Sequence, residues 1–148
     1  MLLDVSDVRL DDQLCFALHA ASRSLTAAYR EPLGRLGLTY TQYLVLMVLW
    51  ETDGLSVGEV GRRLRLDSGT LSPVLRRLES QGLLERRHST VDERSVTVHL
   101  TPSGSALSDE APNILRCASA TVDLDEEEAD VLRRLARRVA TLDQPPIP

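Results

Sequence analysis

Two cysteines, three tyrosines and one histidine are the residues of this 148-residue chain whose types and spacing could do chemistry. Cys15 and Cys117 stand far apart, in no spacing that would ligate a metal. Cys15 and His19 are four residues apart, which makes them neighbours on one face of a helix. The aromatic residues Phe16, Tyr29, Tyr40, Tyr43 and Trp50 all fall between positions 16 and 50, although aromatics are 3% of the chain. A buried tyrosine hydroxyl needs a partner, and a thiolate is a suitable acceptor. A phenol, an imidazole and a helix N-terminus each favour the thiolate, which is the nucleophilic form. Such a thiolate attacks the distal oxygen of a peroxide and becomes a sulfenic acid. The plainer alternative stays open: Cys15 as a small packed residue and His19 as a surface or dimer-contact histidine.

A second set of residues has a different use. Between Arg62 and Arg94 stand eight arginines against five acids, in a chain whose net charge is −5. A basic segment on an acidic body makes a local footprint for phosphates and discourages indiscriminate coating of nucleic acid. Ser68, Gly69, Thr70 and Ser72 are small or hydroxylated and sit at a helix start, where they can reach base edges or phosphates. Arg76 and Arg77 follow one to two turns later. Arg86, Asp92 and Arg94 fall on a hairpin, where an arginine suits a narrow minor groove and Asp92 can hold the Arg94 guanidinium. Helix capping by the hydroxyls and a solvated hairpin charge are the competing readings.

The elements that must position these groups follow from periodicity and punctuation. Asp11 or Asp12 is expected to cap a helix with Leu14, Leu18, Ala21, Leu25 and Ala28 on one face, ended or kinked by Pro32 and Gly34. A helix after Thr39 or Thr41 carries YLVLMVLW, apolar nearly all round and therefore a core element. Ser56 and Glu59 form a capping box for a short helix to Leu64. Asp67 or Ser68 caps the next, which Gly82 stops. Leu83–His88 and Arg94–Leu100 read as a two-stranded wing with the turn STVDE at its tip. Thr101-Pro102 opens a helix to about Ala120, kinked at Pro112. Asp125 to Glu128 begins the last one, with Val131, Leu132, Leu135, Val139 and Leu142 on its apolar face.

The expected fold is mainly α, a single domain over 1–148, with a winged helix-turn-helix at 56–101. Helices at 10–36 and 102–142 are expected to form a two-fold homodimer, with a disordered tail at 143–148. With 43% hydrophobic and 26% charged residues this is the composition of an ordinary soluble protein. No apolar run approaches the roughly 20 residues of a membrane span, and the acidic N-terminus does not suit a signal peptide, so no membrane partner and a cytoplasmic location are expected.

The Leu66–Glu79 helix LDSGTLSPVLRRLE and the Asp92-Glu93-Arg94-Ser95 wing resemble the MarR family of dimeric winged-helix regulators. Asp12-Gln13-Leu14-Cys15-Phe16 narrows the resemblance to the organic hydroperoxide resistance repressors, over about Leu10 to Leu142. It implies a repressor, not an enzyme and without a cofactor, that holds double-stranded operator DNA when Cys15 is reduced and releases it when an organic hydroperoxide oxidises Cys15. It further implies that Tyr29 and Tyr40 of the partner subunit hydrogen-bond the thiol, with His19 standing where relatives carry a third tyrosine. Cys117, on a C-terminal helix, is the candidate resolving thiol, an external thiol being the alternative. Two other functions compete: a MarR-type repressor relieved by a small aromatic ligand, and a thiol peroxidase using both cysteines.

Overall fold

A computed structural model describes residues 9–88 and 95–141. After a 3₁₀ turn at Leu10–Asp12 come α1 (Leu14–Ala28), α2 (Arg30–Gly34), α3 (Tyr40–Glu51), β1 (Leu55–Ser56), α4 (Val57–Leu64) and α5 (Ser68–Ser80). Then follow β2 (Leu84–His88), β3 (Val96–Leu100), α6 (Pro102–Ala106), a 3₁₀ turn at Leu107–Glu110, α7 (Ala111–Ser119) and α8 (Glu126–Ala140). This is the mainly helical winged-helix architecture the sequence predicts.

The core collects under the helix-turn-helix. From α3 come Tyr43, Val45, Leu46, Val48 and Leu49; from α5 come Leu71, Leu75 and Leu78, joined by Leu33, Val60, Leu84, Val98 and Ile114. α3 presents apolar residues to neighbours on nearly every side, as its composition requires. Gly104 lets α6 close over this core, since a Cβ there would lie 1.8 Å from the Leu83 carbonyl oxygen.

Local punctuation works as expected at most helix ends. Thr39 caps α3 through the Gln42 N–H, Ser56 and Glu59 form a reciprocal box on α4, Asp67 caps α5, and Asp125 with Glu128 caps α8. Gly82, at φ +71°, takes the left-handed turn after α5. α1 departs from expectation. Asp11 and Asp12 lie in the preceding 3₁₀ turn, and Gln13 holds the N-cap position with no side-chain cap bond.

Two further expectations need correction. The wing is three-stranded, in the order β1-β3-β2, because Leu55 and Ser56 pair with Val98 and Thr97. A two-residue strand is too short to show a period. The helix expected from Pro102 to Ala120 is two helices split by the 3₁₀ turn at Leu107–Glu110. Proline removes the N–H that would bond the carbonyl four residues back and crowds it. Pro112 does this at Ser108, inside that turn, and Pro32 at Ala28, where α1 ends. Pro73 does the same at Gly69, yet α5 continues through it. Three buried leucines, each contributing about 1.5–3 kcal/mol, outweigh a proline cost of about 3 kcal/mol.

Candidate functional site

The groups expected at DNA divide by how firmly the fold already holds them. Asp67 Oδ1 accepts the Thr70 N–H at 2.9 Å, and the Thr70 hydroxyl donates to Asp67 Oδ2 at 2.9 Å. Those bonds hold the Asp67 carboxyl below its ordinary value and commit the Thr70 proton inside the cap. Ser68 and Gly69 remain exposed at the same helix end, and Ser72 is half-buried. Arg76 and Arg77 are exposed on α5 one and two turns on. Arg86 is different: its Nε and Nη2 donate to Glu79 Oε2 at 3.1 and 2.6 Å, and its backbone N–H donates to Glu79 Oε1 at 3.2 Å. The Arg86 guanidinium correspondingly lowers the Glu79 pKa. Arg86 therefore ties β2 to α5 rather than extending from a tip. Asp92 and Arg94 lie outside the described residues.

Sequence reasoning counts Arg62, Arg63 and Arg65 only toward local charge. Arg62 is exposed on α4, whereas Arg63 is bound to Glu51. Arg65, left-handed at φ 55°, donates from its guanidinium to the Ala140 carbonyl at 2.6 Å. No sequence signal marks that long-range bond.

The thiol lies at the opposite end of the chain. Cys15 is the second residue of α1, exposed and unbridged, between the exposed Leu14 and Phe16. α1 has no buried residue at all, and neither does α8. Tyr29 closes α1 and Tyr40 opens α3, with ring centroids 4.9 Å apart. Tyr43 stacks 6.0 Å from Tyr29 and packs edge-on to Trp50 at 5.9 Å. Burial, and secondarily the neighbouring Tyr29, raises the Tyr40 pKa; Tyr43 is raised by burial, then by Tyr29 and Tyr40. These phenols therefore stay protonated donors.

The tyrosine trio opens onto a cleft of about 470 Å³ whose far wall is Ala111, Pro112 and Leu115 of α7 with Met47 of α3. Cys15 is not part of its lining. Within one chain the tyrosines and the thiol are thus separate. His19 shares a shallow groove with Phe16, Arg23 and Arg30, so the histidine lies beside basic residues of α1 and the start of α2. Cys117 lines a different cavity, of about 160 Å³, beside Ala28 at the far end of α1. At 1.5 Å per residue Cys15 lies about 20 Å from Ala28 along that helix. The two thiols of one chain therefore stand farther apart here than the roughly 7 Å Cα separation that a disulfide requires.

A helix-turn-helix with a three-stranded wing, carried on helices whose apolar stripes stay uncovered, defines a winged-helix DNA-binding regulator. Residues 38–96 match the MarR family model, and the chain belongs to the MarR family. It is a transcriptional regulator that binds DNA and acts as a dimer, not an enzyme. The organic hydroperoxide resistance transcriptional regulator of Bacillus subtilis (strain 168) is 42% identical over 135 residues, which is 91% of this chain and 90% of that protein. Reduced AbfR bound to DNA superposes with a TM-score of 0.73 at 34% identity, over 90% of this chain and 94% of that one. The disulfide-formed AbfR superposes less closely, with a TM-score of 0.63 at 34% identity over 90% and 92%. BpsR of Bordetella bronchiseptica, whose DNA binding is regulated by 6-hydroxynicotinic acid, gives a TM-score of 0.77 at 28% identity over 86% and 98%. Among the described residues no helix is long and apolar enough to cross a membrane.

Proposed function

We propose that this regulator is a repressor that senses organic hydroperoxides, working in the cytoplasm where its operator lies. The observation that carries the reading is an exposed thiol at the start of a helix with no buried residue, in a chain similar over nine-tenths of its length to a hydroperoxide-resistance regulator. In the dimer, Cys15 of one subunit meets Tyr29 and Tyr40 of the other, whose hydroxyls donate to the thiolate. The thiolate sulfur attacks the distal peroxide oxygen. An S–O bond forms as the O–O bond breaks, sulfur is oxidised to sulfenic acid, and the leaving alkoxide takes a proton to become the alcohol. His19, one turn from Cys15, supplies a basic neighbour.

The sulfenic acid then condenses with a thiol, releasing water. Because Cys117 lies beside the far end of α1 from Cys15, resolution by Cys117 uses the partner's thiol and a substantial helix movement; a small external thiol is the other route. The better superposition on reduced, DNA-bound AbfR than on its disulfide form supports assigning this structure to the binding-competent state. Contacts to the operator come from Ser68, Gly69, Thr70, Ser72, Arg76 and Arg77, with Arg94, oriented by Asp92, in the minor groove. Arg86 contributes by holding the wing against α5.

The test is an operator gel shift with cumene hydroperoxide, followed by dithiothreitol. Reversible release by the wild type and persistent binding by Cys15→Ser is the expected result; release of Cys15→Ser would sink the reading. The tyrosine-lined cleft of about 470 Å³ favours one competitor, relief by a small hydroxylated aromatic. In that case such a compound releases wild type and Cys15→Ser alike.

A further inference from the structure

Gln42 is 4% exposed, the one polar residue among the buried described side chains, and both polar atoms of its amide are hydrogen-bonded. Its Oε1 accepts the Thr39 backbone N–H at 2.8 Å, and its Nε2 donates to Gln81 Oε1 at 3.2 Å. Gln81 Nε2 donates in turn to the Gly37 carbonyl at 2.8 Å. Gln81 is the C-cap residue of α5. Gly37, at φ +67°, and Thr39 flank the buried Leu38 in the connection from α2 to α3. The recognition helix therefore ends in a side chain clasped from both sides of that connection. One residue beyond Thr39 stands Tyr40, against Tyr29.

The geometry points to Gln81, held by Gln42, as the positioning residue through which the Tyr29–Tyr40 pair controls the recognition helix. The inference rests on the hydroperoxide reading, which makes those tyrosines the first groups to feel a change at the partner's Cys15. Amide hydrogen bonds weaken steeply with distance and angle, and a buried amide left unpaired is costly. When Tyr40 shifts, the Gly37–Thr39 connection and the end of α5 consequently move together. α5 is thirteen residues long, about 20 Å at 1.5 Å per residue. A small tilt imposed at Gln81 is thereby enlarged at Ser68 and Gly69, the end that faces DNA. A coupled pair of half-sites tolerates little such change.

Gln81→Met, close in length but without the amide, tests this in the full-length dimer, with Gln42→Met as the companion. Four quantities are read: operator affinity of reduced protein, the same after cumene hydroperoxide, Cys15 sulfenate labelled by dimedone, and Tm. In Gln81→Met, sulfenate forms at the wild-type rate and reduced protein still binds, but the ratio of reduced to oxidised affinity falls about tenfold, the scale of an ordinary coupling between sites. Combining the two substitutions adds little to that loss, as for residues of one network. A wild-type ratio in Gln81→Met, with wild type itself released normally, overturns this inference alone. Failure of the wild type to respond overturns the hydroperoxide reading and this inference with it. Gln81 is partly exposed, so the test stands on Gln81→Met if loss of the buried Gln42 amide prevents folding.

Discussion

The helix-turn-helix and the terminal helices obey opposite rules. α3 and α5 between them bury Tyr43, Val45, Leu46, Val48, Leu49, Leu71, Leu75 and Leu78 within one chain. α1 and α8, each of fifteen residues, bury nothing. Leu14, Phe16 and Leu25 on α1 and Val131, Leu135 and Val139 on α8 remain among the most exposed large apolar side chains. The reader carries its own core, while the arms leave their apolar stripes uncovered within one chain, and the thiol sits on an arm. Under the proposed function, a thiol on a helix that its own chain leaves uncovered responds to events at the subunit interface, while a reader with its own core can be moved without being unfolded.

Substitutions in the two regions should separate sharply. Leu75→Ala removes a buried leucine from α5 and should cost about 2–5 kcal/mol in urea unfolding of the reduced protein; a loss under about 1 kcal/mol would erase the distinction between core and arm. Leu135→Ser should leave the circular dichroism of the helices nearly intact yet weaken the dimer by about 10- to 100-fold in sedimentation equilibrium, since two-fold symmetry applies each loss twice. An unchanged dimer would show that the α8 stripe has another use. Arg76→Ala should lower operator affinity by about tenfold and reduce the salt slope by about one for each phosphate no longer neutralised, without affecting release by peroxide. An unaltered salt slope would remove Arg76 from the groups that neutralise phosphate.

The smallest effect is a pH dependence confined to the reader. Hydrogen bonds from Ser56 and Thr70 hold Glu59 and Asp67 below their ordinary values, and Arg86 does the same for Glu79. A carboxyl depressed in the folded state stabilises at pH above its unfolded value, and that stability is lost as pH falls through the folded value. Tm should therefore decline on acidification from the ordinary carboxylate range downward. Asp67→Asn and Glu79→Gln should each flatten that decline. An identical acid profile in both variants would assign the pH sensitivity elsewhere.

Much of the reader is legible in the sequence because its signals are local. The Ser56–Glu59 box, Asp67 at the start of α5 and Gly82 at its end each depend on residues within a turn or so of one another. Arg86 misleads for the complementary reason: on a strand beside other arginines it looks free, and only the packing of β2 against α5 sets Glu79 beneath it. β1 leaves no trace because two residues have no period, and pairing with β3 alone makes them a strand. Pro112 announces a break, but where the helix gives way depends on the carbonyl it crowds four residues earlier.

Residue order is enough to specify that this chain has a winged reader, a cysteine at the head of an amphipathic helix and tyrosines in the stretch that follows it, because capping, proline geometry and apolar period act over a few residues. What the tertiary fold alone decides is distance. It separates Cys15 from Cys117 by most of the length of α1, turns Tyr29 and Tyr40 towards a cleft that excludes their own chain's thiol, and lays Gln81 between Gly37 and Gln42. The bonds that Gln81 makes there join residues 39 or more positions apart in the chain, beyond the reach of any local rule, and they exist only once the apolar faces of α3 and α5 have chosen each other.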